Sequence, residues 1–188
     1  MITIAAYDMH VEQLFDKMRR LHAALSAVGI PYRIVGGMAV FLQVSARNPE
    51  RARLTQDVDV AVERRQLEQI KAACAKYGFR FRHAAGVDML VDTTEPRARS
   101  AVHFVFIREK VRPEYFEPVP GFSEPTVALE GVLLAPVSDL VHMKLTSFRL
   151  KDKVHIQDLD SVGLITPEIE AGLSEPLRAR LAEVRATE

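Results

Sequence analysis

Two aspartates separated by a single residue are the first groups in this chain that could do chemistry. Asp57 and Asp59 open the run DVDVAV, in which acidic and valine positions alternate as they do along a half-buried strand. Carboxylates at positions i and i+2 point to the same side of a strand, so the pair can hold one divalent cation or two close together. Mg²⁺ bound in this way keeps coordination positions for the phosphates of a nucleoside triphosphate. Taken alone, the pair is more typical of an exposed edge strand with two solvated acids.

A glycine pair supplies the second half of the predicted site. Gly36 and Gly37 follow a hydrophobic strand predicted over Tyr32 to Val35 and precede a helix predicted over Met38 to Val44. Glycine lets the backbone approach a phosphate closely, and the free amides at the start of a helix bind anions. A plain left-handed turn would also explain the pair, so the prediction of a nucleotide and metal site depends on both halves together.

The elements that must position these groups are predicted from hydrophobic periodicity. Steps of three and four residues indicate amphipathic helices, and short alternating runs rich in valine and phenylalanine indicate strands. Runs of sheet follow runs of helix, which predicts an α+β fold with a mixed β-sheet, helices packed on one face and a C-terminal helical segment. The predicted helices span Val11–Val28, Arg64–Lys76, Pro136–Leu150, Val154–Val162 and Pro176–Val184, the further strands span Phe79–His83, Val87–Val91 and Ala101–Ile107, and a proline-rich surface loop spans Arg112–Pro125.

Length and composition set the frame for this fold. The chain has 188 residues, of which 48% are hydrophobic, enough for one compact unit with a core over residues 1–135 and a helical extension over 136–188. Lys plus Arg and Asp plus Glu both number 25, which argues against strong non-specific binding to nucleic acid or to a membrane. The single cysteine, Cys74, fits a core position and excludes an internal disulfide. The first twenty residues mix acids, bases and apolar groups, which predicts a cytoplasmic protein without a secretory signal.

The segments IVGGMAVFLQ and RLTQDVDVAV resemble the nucleotidyltransferase fold of the DNA polymerase beta superfamily. In that family a hydrophobic strand leads into Gly-Gly or Gly-Ser, and an acidic pair on the next strand binds the metals. The resemblance implies that Gly36 and Gly37 contact the nucleotide, and that Asp57 and Asp59 bind Mg²⁺ or Mn²⁺ and take part in catalysis.

The spacing between the two motifs is longer than in the smallest members of the family. It is similar to the spacing in the abortive-infection toxin-like branch of these nucleotidyltransferases. That branch has the patterns G-G-x-A and R-x-T-x-D-x-D, which Ala39, Arg53 and Thr55 match here. The resemblance covers roughly residues 10 to 160 and implies that Arg53 and Thr55 help to bind the nucleotide. It also makes an antitoxin or an RNA a candidate partner.

The family usually carries a third carboxylate on a neighbouring strand, and His103 occupies that position here. Alternation along the strand directs His103 to the side of the aspartates, where a neutral imidazole can act as a base or a ligand. A hydrogen-bonded histidine beside the site is an equal alternative. Asp88 and Asp92 on the preceding strand are rival third acids, although solvated turn residues are the more typical interpretation of both.

Lys144 falls inside the apolar stripe of its helix, so its side chain should point inward. A buried ammonium needs an acid or a phosphate as partner. Two partners stay open: the triphosphate of a bound nucleotide, which the resemblance implies, and Asp158 in an ion pair. Arg149, Lys151 and Lys153 extend a basic edge, which is more typical of a solvated face than of a polynucleotide track.

The sequence therefore predicts a metal-dependent nucleotidyltransferase that moves a nucleoside monophosphate from a nucleoside triphosphate to a hydroxyl of RNA, protein or a small molecule. The alternative is a catalytically impaired nucleotide-binding module with the same fold, which the histidine at the usual acid position favours. Either protein could belong to a toxin–antitoxin pair, and that expectation depends on the resemblance alone.

Overall fold

The computed structural model describes residues 4–55, 57–94, 101–123 and 127–187. About half of the described chain is helical, and the remainder contains the strands of one mixed sheet. The helices are α1 Ile4–Ser26, α2 Gly36–Arg47, α3 Leu67–Ala75, α4 Val137–Ser147, α5 Leu150–Ser161, α6 Pro167–Ala171 and α7 Glu175–Arg185. The strands are β1 Arg33–Val35, β2 Val58–Val62, β3 Phe79–Ala84, β4 Val87–Asp92, β5 Val102–Phe106, β6 Val127–Leu129 and β7 Val132–Leu134.

The described strands form one sheet in the order β3-β4-β5-β2-β1-β7-β6. The central strand β2 runs antiparallel to β1 and parallel to β5. On its other side, β1 pairs in parallel with β7, so a strand that directly precedes the C-terminal helices lies between β1 and the edge strand β6. The predicted α+β fold with a mixed sheet is confirmed.

The register of the sheet decides which side chains share a face. Asp59 lies opposite Val35 on β1 and His103 on β5, and His103 lies opposite Met89 on β4. Val58, by contrast, is paired with Val102 and belongs to the other face. That other face packs against α1 and α3 in the main hydrophobic core. Asp59 and His103 therefore lie on the face turned away from α1 and α3.

The helices of the C-terminal segment share the main core with the sheet. Helices α4, α5 and α7 pack on one another, and α4 and α5 also pack against α2. Leu140, Leu159 and Leu181 are completely buried in that core. None of the helices in the described ranges combines the length and the apolar character that crossing a membrane requires.

Among the described residues, strands β6 and β7 and helix α6 are short elements that periodicity did not predict. Strands β6 and β7 form a hairpin around Glu130 and Gly131, which both adopt positive φ angles of 50° and 76°. Helix α6 begins after Thr166, whose hydroxyl accepts a hydrogen bond from the amide of Ile169. Three to five residues are too few to show a period of either kind. The predicted loop lacks helix and strand over its described residues, 112–123.

Tyr32 joins three elements of the core through its hydroxyl group. The buried hydroxyl lies 2.7 Å from Nδ1 of His22 on α1 and accepts a hydrogen bond of 3.1 Å from the amide of Leu133 on β7. A buried donor that loses its partner keeps the full cost of its desolvation.

Replacing Tyr32 with Phe is expected to lower the free energy of unfolding by about 1–3 kcal/mol, because the Leu133 amide loses its acceptor inside the core. Urea unfolding followed by circular dichroism measures the change. Tyr77→Phe is the matched control, because the half-buried Tyr77 hydroxyl makes no hydrogen bond within the described residues. Equal stabilities of the two variants would contradict the prediction.

Candidate active site

Gly36 is packed directly against Asp59. A Cβ atom built on Gly36 would lie 2.0 Å from Oδ2 and 2.8 Å from Cγ of Asp59, far inside van der Waals contact. The φ angle of Gly36 is +69°, a left-handed conformation that side chains other than that of glycine rarely adopt. Two independent constraints therefore require glycine here, and the start of α2 lies next to the carboxylate.

The next residue, Gly37, is also packed closely against other parts of the chain. A Cβ atom at Gly37 would lie 3.0 Å from Oγ1 of Thr55 and 3.4 Å from Cε1 of His155 on α5. The Thr55 hydroxyl in turn donates a weak hydrogen bond of 3.4 Å to Oδ1 of Asp57. The glycine pair, Thr55 and both aspartates thus form one continuous group of contacts.

His103 lies beside the aspartates, as alternation along its strand predicted. Its Nδ1 is 3.7 Å from Oδ1 of Asp59, and the side chain is 22% exposed. The imidazole and the Asp59 carboxylate are therefore close enough for both to contact one bound molecule.

These groups open into a cleft of about 550 Å³, a volume within the usual range for small-molecule sites. Asp57, Asp59 and His103 lie on its sheet side. The opposite wall comes from α4, from the start of α5 and from a segment of residues 108–121, here called the strap. Further lining residues are Val35, Gly36, Val87, Val105, Val111, Arg112, Tyr115, Glu117, Lys144, Ser147, Arg149 and Lys151.

Asp152 holds the cations of the opposite wall. Its carboxylate is completely buried and accepts hydrogen bonds from Lys144 Nζ at 3.0 Å, Ser147 Oγ at 2.8 Å, and the backbone and side chain of Arg149. The Arg149 guanidinium and the Lys144 ammonium help to hold the pKa of Asp152 well below its usual range. Lys144 and Arg149 are thereby fixed on the wall that faces Asp59.

Lys144 is inside the protein, as the helical stripe predicted, with 6% of its surface exposed. Burial lowers its pKa, and the negative charges of Asp152 and Asp59 oppose that effect. The prediction that Asp158 is its ion-pair partner is wrong. The Oδ1 atom of Asp158 accepts a hydrogen bond of 3.0 Å from Nε of Arg53 instead.

Asp88 and Asp92 lie on the face of the sheet opposite His103. Their β4 neighbour Met89 shares the face of His103, so alternation turns both acids away from the cleft. Asp88 contacts Nδ1 of His83 at 2.6 Å and Arg64 at 3.6 Å. Asp92 forms an ion pair with Arg20 on α1. This placement corrects the expectation that either acid could replace a carboxylate beside Asp59.

Within the described ranges, groups of three or more His, Cys, Asp or Glu side chains arranged to hold a metal ion are absent. The available donors are the oxygens of Asp57 and Asp59, which face the cleft. Two hard carboxylates, Asp59 on β2 and Asp57 directly before it, with open space for phosphate oxygens, fit Mg²⁺ or Mn²⁺ held jointly by the protein and a phosphate ligand.

No protein-family model matches the sequence, and no curated protein matches it. Solved structures do match the fold. The antibiotic-resistance factor ANT(2″)-Ia is 17% identical, with 95% of both chains covered and a TM-score of 0.57. An antigenic nucleotidyltransferase-like protein from Paracoccidioides brasiliensis is 17% identical over 94% of this chain and 89% of its own, with a TM-score of 0.59. ANT(2″)-Ia in complex with adenylyl-2″-tobramycin gives a TM-score of 0.54 at 15% identity, with 92% and 97% covered.

The chain has the nucleotidyltransferase fold. At these identities the likeness shows the fold alone. The role of each residue is therefore inferred from the geometry of the site.

Sequence reasoning missed Asp152 and Tyr115 in this nucleotidyltransferase-fold site, and it treated Arg149 only as part of a basic edge. Asp152 and Arg149 lie across the turn between α4 and α5, where Phe148 adopts a positive φ angle of 50° that interrupts the helical period. Tyr115 reaches the cleft from the strap, whose residues have no periodic pattern. The spacing K-x₇-D from Lys144 to Asp152 was the available signal, and it becomes meaningful only once the turn is known.

If this site binds a nucleotide with Mg²⁺, Gly36→Ala is expected to abolish that binding, because the new methyl group would displace the Asp59 carboxylate. Gly29→Ala is a matched control: Gly29 has a φ angle of +66°, but its Cβ would meet nothing within 4 Å. Both variants carry about 1–2 kcal/mol of left-handed backbone strain, and only Gly36→Ala carries the clash. Calorimetric titration with magnesium and ATP or GTP compares them, and equal affinities would refute the assignment.

His155 supplies a pH test of the packing behind Gly37. Burial lowers the pKa of His155 to about 4, and the positive charge of Lys144 adds to the effect. Because an unfolded histidine has a pKa of about 6.5, the unfolded chain binds the extra proton between these values. Stability should therefore fall as the pH drops from about 6.5 to 4, by on the order of 2 kcal/mol.

His155→Gln should flatten that part of the profile of unfolding free energy against pH, as measured by urea titration. His83→Gln is the control, because the His83 ring is 59% exposed and lies outside the packing behind Gly37. A wild-type slope retained in His155→Gln would contradict the assignment.

Proposed function

We propose that this protein transfers a nucleoside monophosphate from a nucleoside triphosphate to a hydroxyl acceptor. One observation carries the proposal. The contact of Gly36 with Asp59 joins the start of α2 and the carboxylate pair into one site that opens into the cleft. Backbone amides for phosphate and carboxylates for a divalent cation are the two components that such a reaction requires.

Different residues of the chain act on different groups of the triphosphate. Asp57 and Asp59 would hold Mg²⁺ or Mn²⁺, which when bound polarises the α-phosphate and neutralises charge on the leaving oxygens. The amides of Gly36 and Gly37 bind phosphate oxygens from the helix start. Lys144, fixed by Asp152 on the facing wall, supplies positive charge where pyrophosphate would leave. Thr55 orients Asp57, whereas Arg53 is engaged by Asp158.

His103 is proposed as the general base. It lies on the acceptor side of Asp59, away from α2, and it is the titratable group that β5 brings beside the carboxylates. A neutral imidazole can take the proton of the attacking hydroxyl as the new bond to the α-phosphorus forms. The bond from that phosphorus to the bridging oxygen then breaks, and pyrophosphate leaves.

The solved neighbours support this proposal without fixing the acceptor. ANT(2″)-Ia is described as an antibiotic-resistance factor, and one of its structures holds adenylyl-2″-tobramycin, a nucleotidylated product. The second candidate function is nucleotide binding without turnover, favoured by the imidazole of His103 in place of a third carboxylate. Action within a toxin–antitoxin pair stays a hypothesis from resemblance, which co-expression with neighbouring genes would test.

Asp57→Asn and Asp59→Asn are each expected to lower magnesium-dependent transfer of α-labelled nucleotide by at least about 100-fold, because cation binding contributes several kcal/mol to stabilisation of the transition state. The assay supplies the four labelled nucleoside triphosphates and total cellular RNA, protein and small molecules as acceptors. Asp88→Asn is the control, because Asp88 is a strand carboxylate on the opposite face of the sheet, outside the cleft.

Wild-type transfer by both cleft variants would refute the proposal. Calorimetry separates the two candidate functions: nucleotide binding without transfer to any acceptor would favour the binding module, and absence of binding with and without magnesium would reject both.

A further inference from the structure

We propose that Arg180 on α7 is a positioning residue for the cleft: its guanidinium group holds the tip of the strap and the end of α4 from behind the wall, so that the side chains on that wall face a bound triphosphate. This role rests on the proposed nucleotidyl transfer and belongs to a residue outside the described lining of the cleft. Three segments far apart in sequence meet at this one side chain.

The guanidinium group of Arg180 supplies donors to the end of α4. Its Nη1 atom donates hydrogen bonds to the carbonyl oxygens of Leu145 at 2.6 Å and Thr146 at 2.9 Å. Both carbonyls belong to the last turn of α4, where backbone acceptors have no partner further along the helix. A cation at this end also interacts favourably with the helix dipole. Arg180 therefore fixes the part of α4 that directly follows Lys144.

Two aromatic rings pack on the same guanidinium group. The Cζ atom of Arg180 lies 4.3 Å from the centre of the Phe116 ring and 4.6 Å from the centre of the Phe148 ring. Both distances are typical of cation–π contacts. Phe148 is the left-handed residue at the end of α4, and Phe116 belongs to the tip of the strap, with 55% of its surface exposed. One guanidinium group thus connects the strap to the turn between α4 and α5.

The contacts of Arg180 lie behind the wall of the cleft. The Arg180, Phe116 and Phe148 side chains are outside its described lining. The residues that flank the two rings in sequence do line it, and they are Tyr115, Glu117, Ser147 and Arg149. Because neighbours in a chain move together, the contacts of Arg180 restrict the positions of both wall segments.

The turn that Arg180 holds also carries the donors to Asp152. The Asp152 carboxylate accepts hydrogen bonds from Lys144 Nζ at 3.0 Å, Ser147 Oγ at 2.8 Å and Arg149 Nε at 2.7 Å. These three donors lie within six successive residues, and the ring of Phe148 is among them. Small displacements of groups that orient a substrate are costly. Arg180 therefore sets the positions of the cations that would face the triphosphate.

The base of the strap is attached by other contacts. The amide of Arg108 donates to the carbonyl of Val119 at 2.8 Å, and the amide of Val119 donates to the carbonyl of Glu109 at 2.9 Å. The Glu109 carboxylate also accepts hydrogen bonds from the Arg64 guanidinium. Loss of Arg180 should therefore release the tip of the strap and leave its base in place.

The test measures affinity for magnesium with ATP or GTP by calorimetric titration. Arg180→Met keeps an apolar stem but loses both ring contacts and both carbonyl contacts, and it should weaken affinity about five- to tenfold. Arg180→Lys keeps the charge without the planar group that serves rings and carbonyls together, and it should weaken affinity about two- to threefold. Arg178→Met is the matched control on the same helix, because Nη1 of Arg178 donates to the carbonyl of Leu173 at 2.6 Å, within the C-terminal segment.

A fluorescent reporter on the strap separates positioning from a general loss of stability. The chain contains no tryptophan, so Phe116→Trp introduces a single indole at the tip of the strap and keeps an aromatic face for Arg180. In that background Arg180→Met should raise the quenching of the indole by acrylamide about twofold, because the cation–π contact no longer holds the ring. Arg178→Met should leave the quenching unchanged. Circular dichroism checks that each variant is folded.

Phe116→Leu tests the same contact from the strap and leaves α7 intact. The Phe116 side chain is more than half exposed, so the change should not prevent folding. Affinity for the triphosphate should fall about two- to fivefold, and Arg180→Met should have a smaller effect in this background than in the wild-type chain, because the shared contact is lost only once. Wild-type affinity in Phe116→Leu would overturn the proposed role of Arg180.

Binding of triphosphate by the wild-type protein distinguishes the two proposals. If the wild-type protein binds no triphosphate, with or without magnesium, the proposed function fails. If the wild type binds and Arg180→Met binds equally well, the role of Arg180 alone is overturned. Equal losses in Arg180→Met and Arg178→Met, or a loss without a change in quenching, would overturn it too, because the charge of α7 and not the contacts of Arg180 would then set the affinity.

Discussion

This site depends on one constraint: residue 36 must be glycine, because a side chain there would clash with Asp59. Antiparallel pairing of β1 with β2 places Val35 opposite Asp59. Gly36, the residue after Val35, then begins helix α2 directly over the Asp59 carboxylate. A single methyl group would occupy the position of the carboxylate oxygen. Because Gly36 carries no methyl group, the start of α2 and the carboxylates of Asp57 and Asp59 border the same cleft. The strand pairing therefore fixes the distance between the two halves of the site that we propose to bind phosphate and a cation.

The remaining walls come from parts of the chain far apart in sequence. The strap is fastened at its base, where the amide of Arg108 donates to the carbonyl of Val119, and at its tip, where Phe116 packs on Arg180 of α7. Strand β7 enters the sheet beside β1, just before α4 begins. The predicted division at residue 135 thus passes through contacts that build the cleft. That division stays a prediction, whereas the site draws on both sides of it.

The features that the sequence predicted are those set by local periodicity. The shared direction of Asp57 and Asp59 follows from the alternation that begins at Asp57 and continues along β2, and the inward direction of Lys144 follows from its helical stripe. The partner of Lys144 could not be predicted, because the left-handed turn at Phe148 lets α5 fold back and present Asp152. The position of Tyr115 in the cleft could not be predicted for a related reason. An irregular segment has no periodic pattern, so the contacts of its residues depend on tertiary packing alone. The three-residue strands β6 and β7 were too short to predict.

Asp152 has a further consequence for the site before any substrate arrives. Lys144 and Arg149 feel the charge of Asp59 across the cleft. Their hydrogen bonds to the buried carboxylate of Asp152, whose pKa lies below its usual range, hold both cations on their own wall. Under the proposed function, an anion and its counter-ion would then replace water in the cleft rather than break an ion pair between the walls. The reorganisation that a polar site normally undergoes on binding has in this sense already been completed during folding.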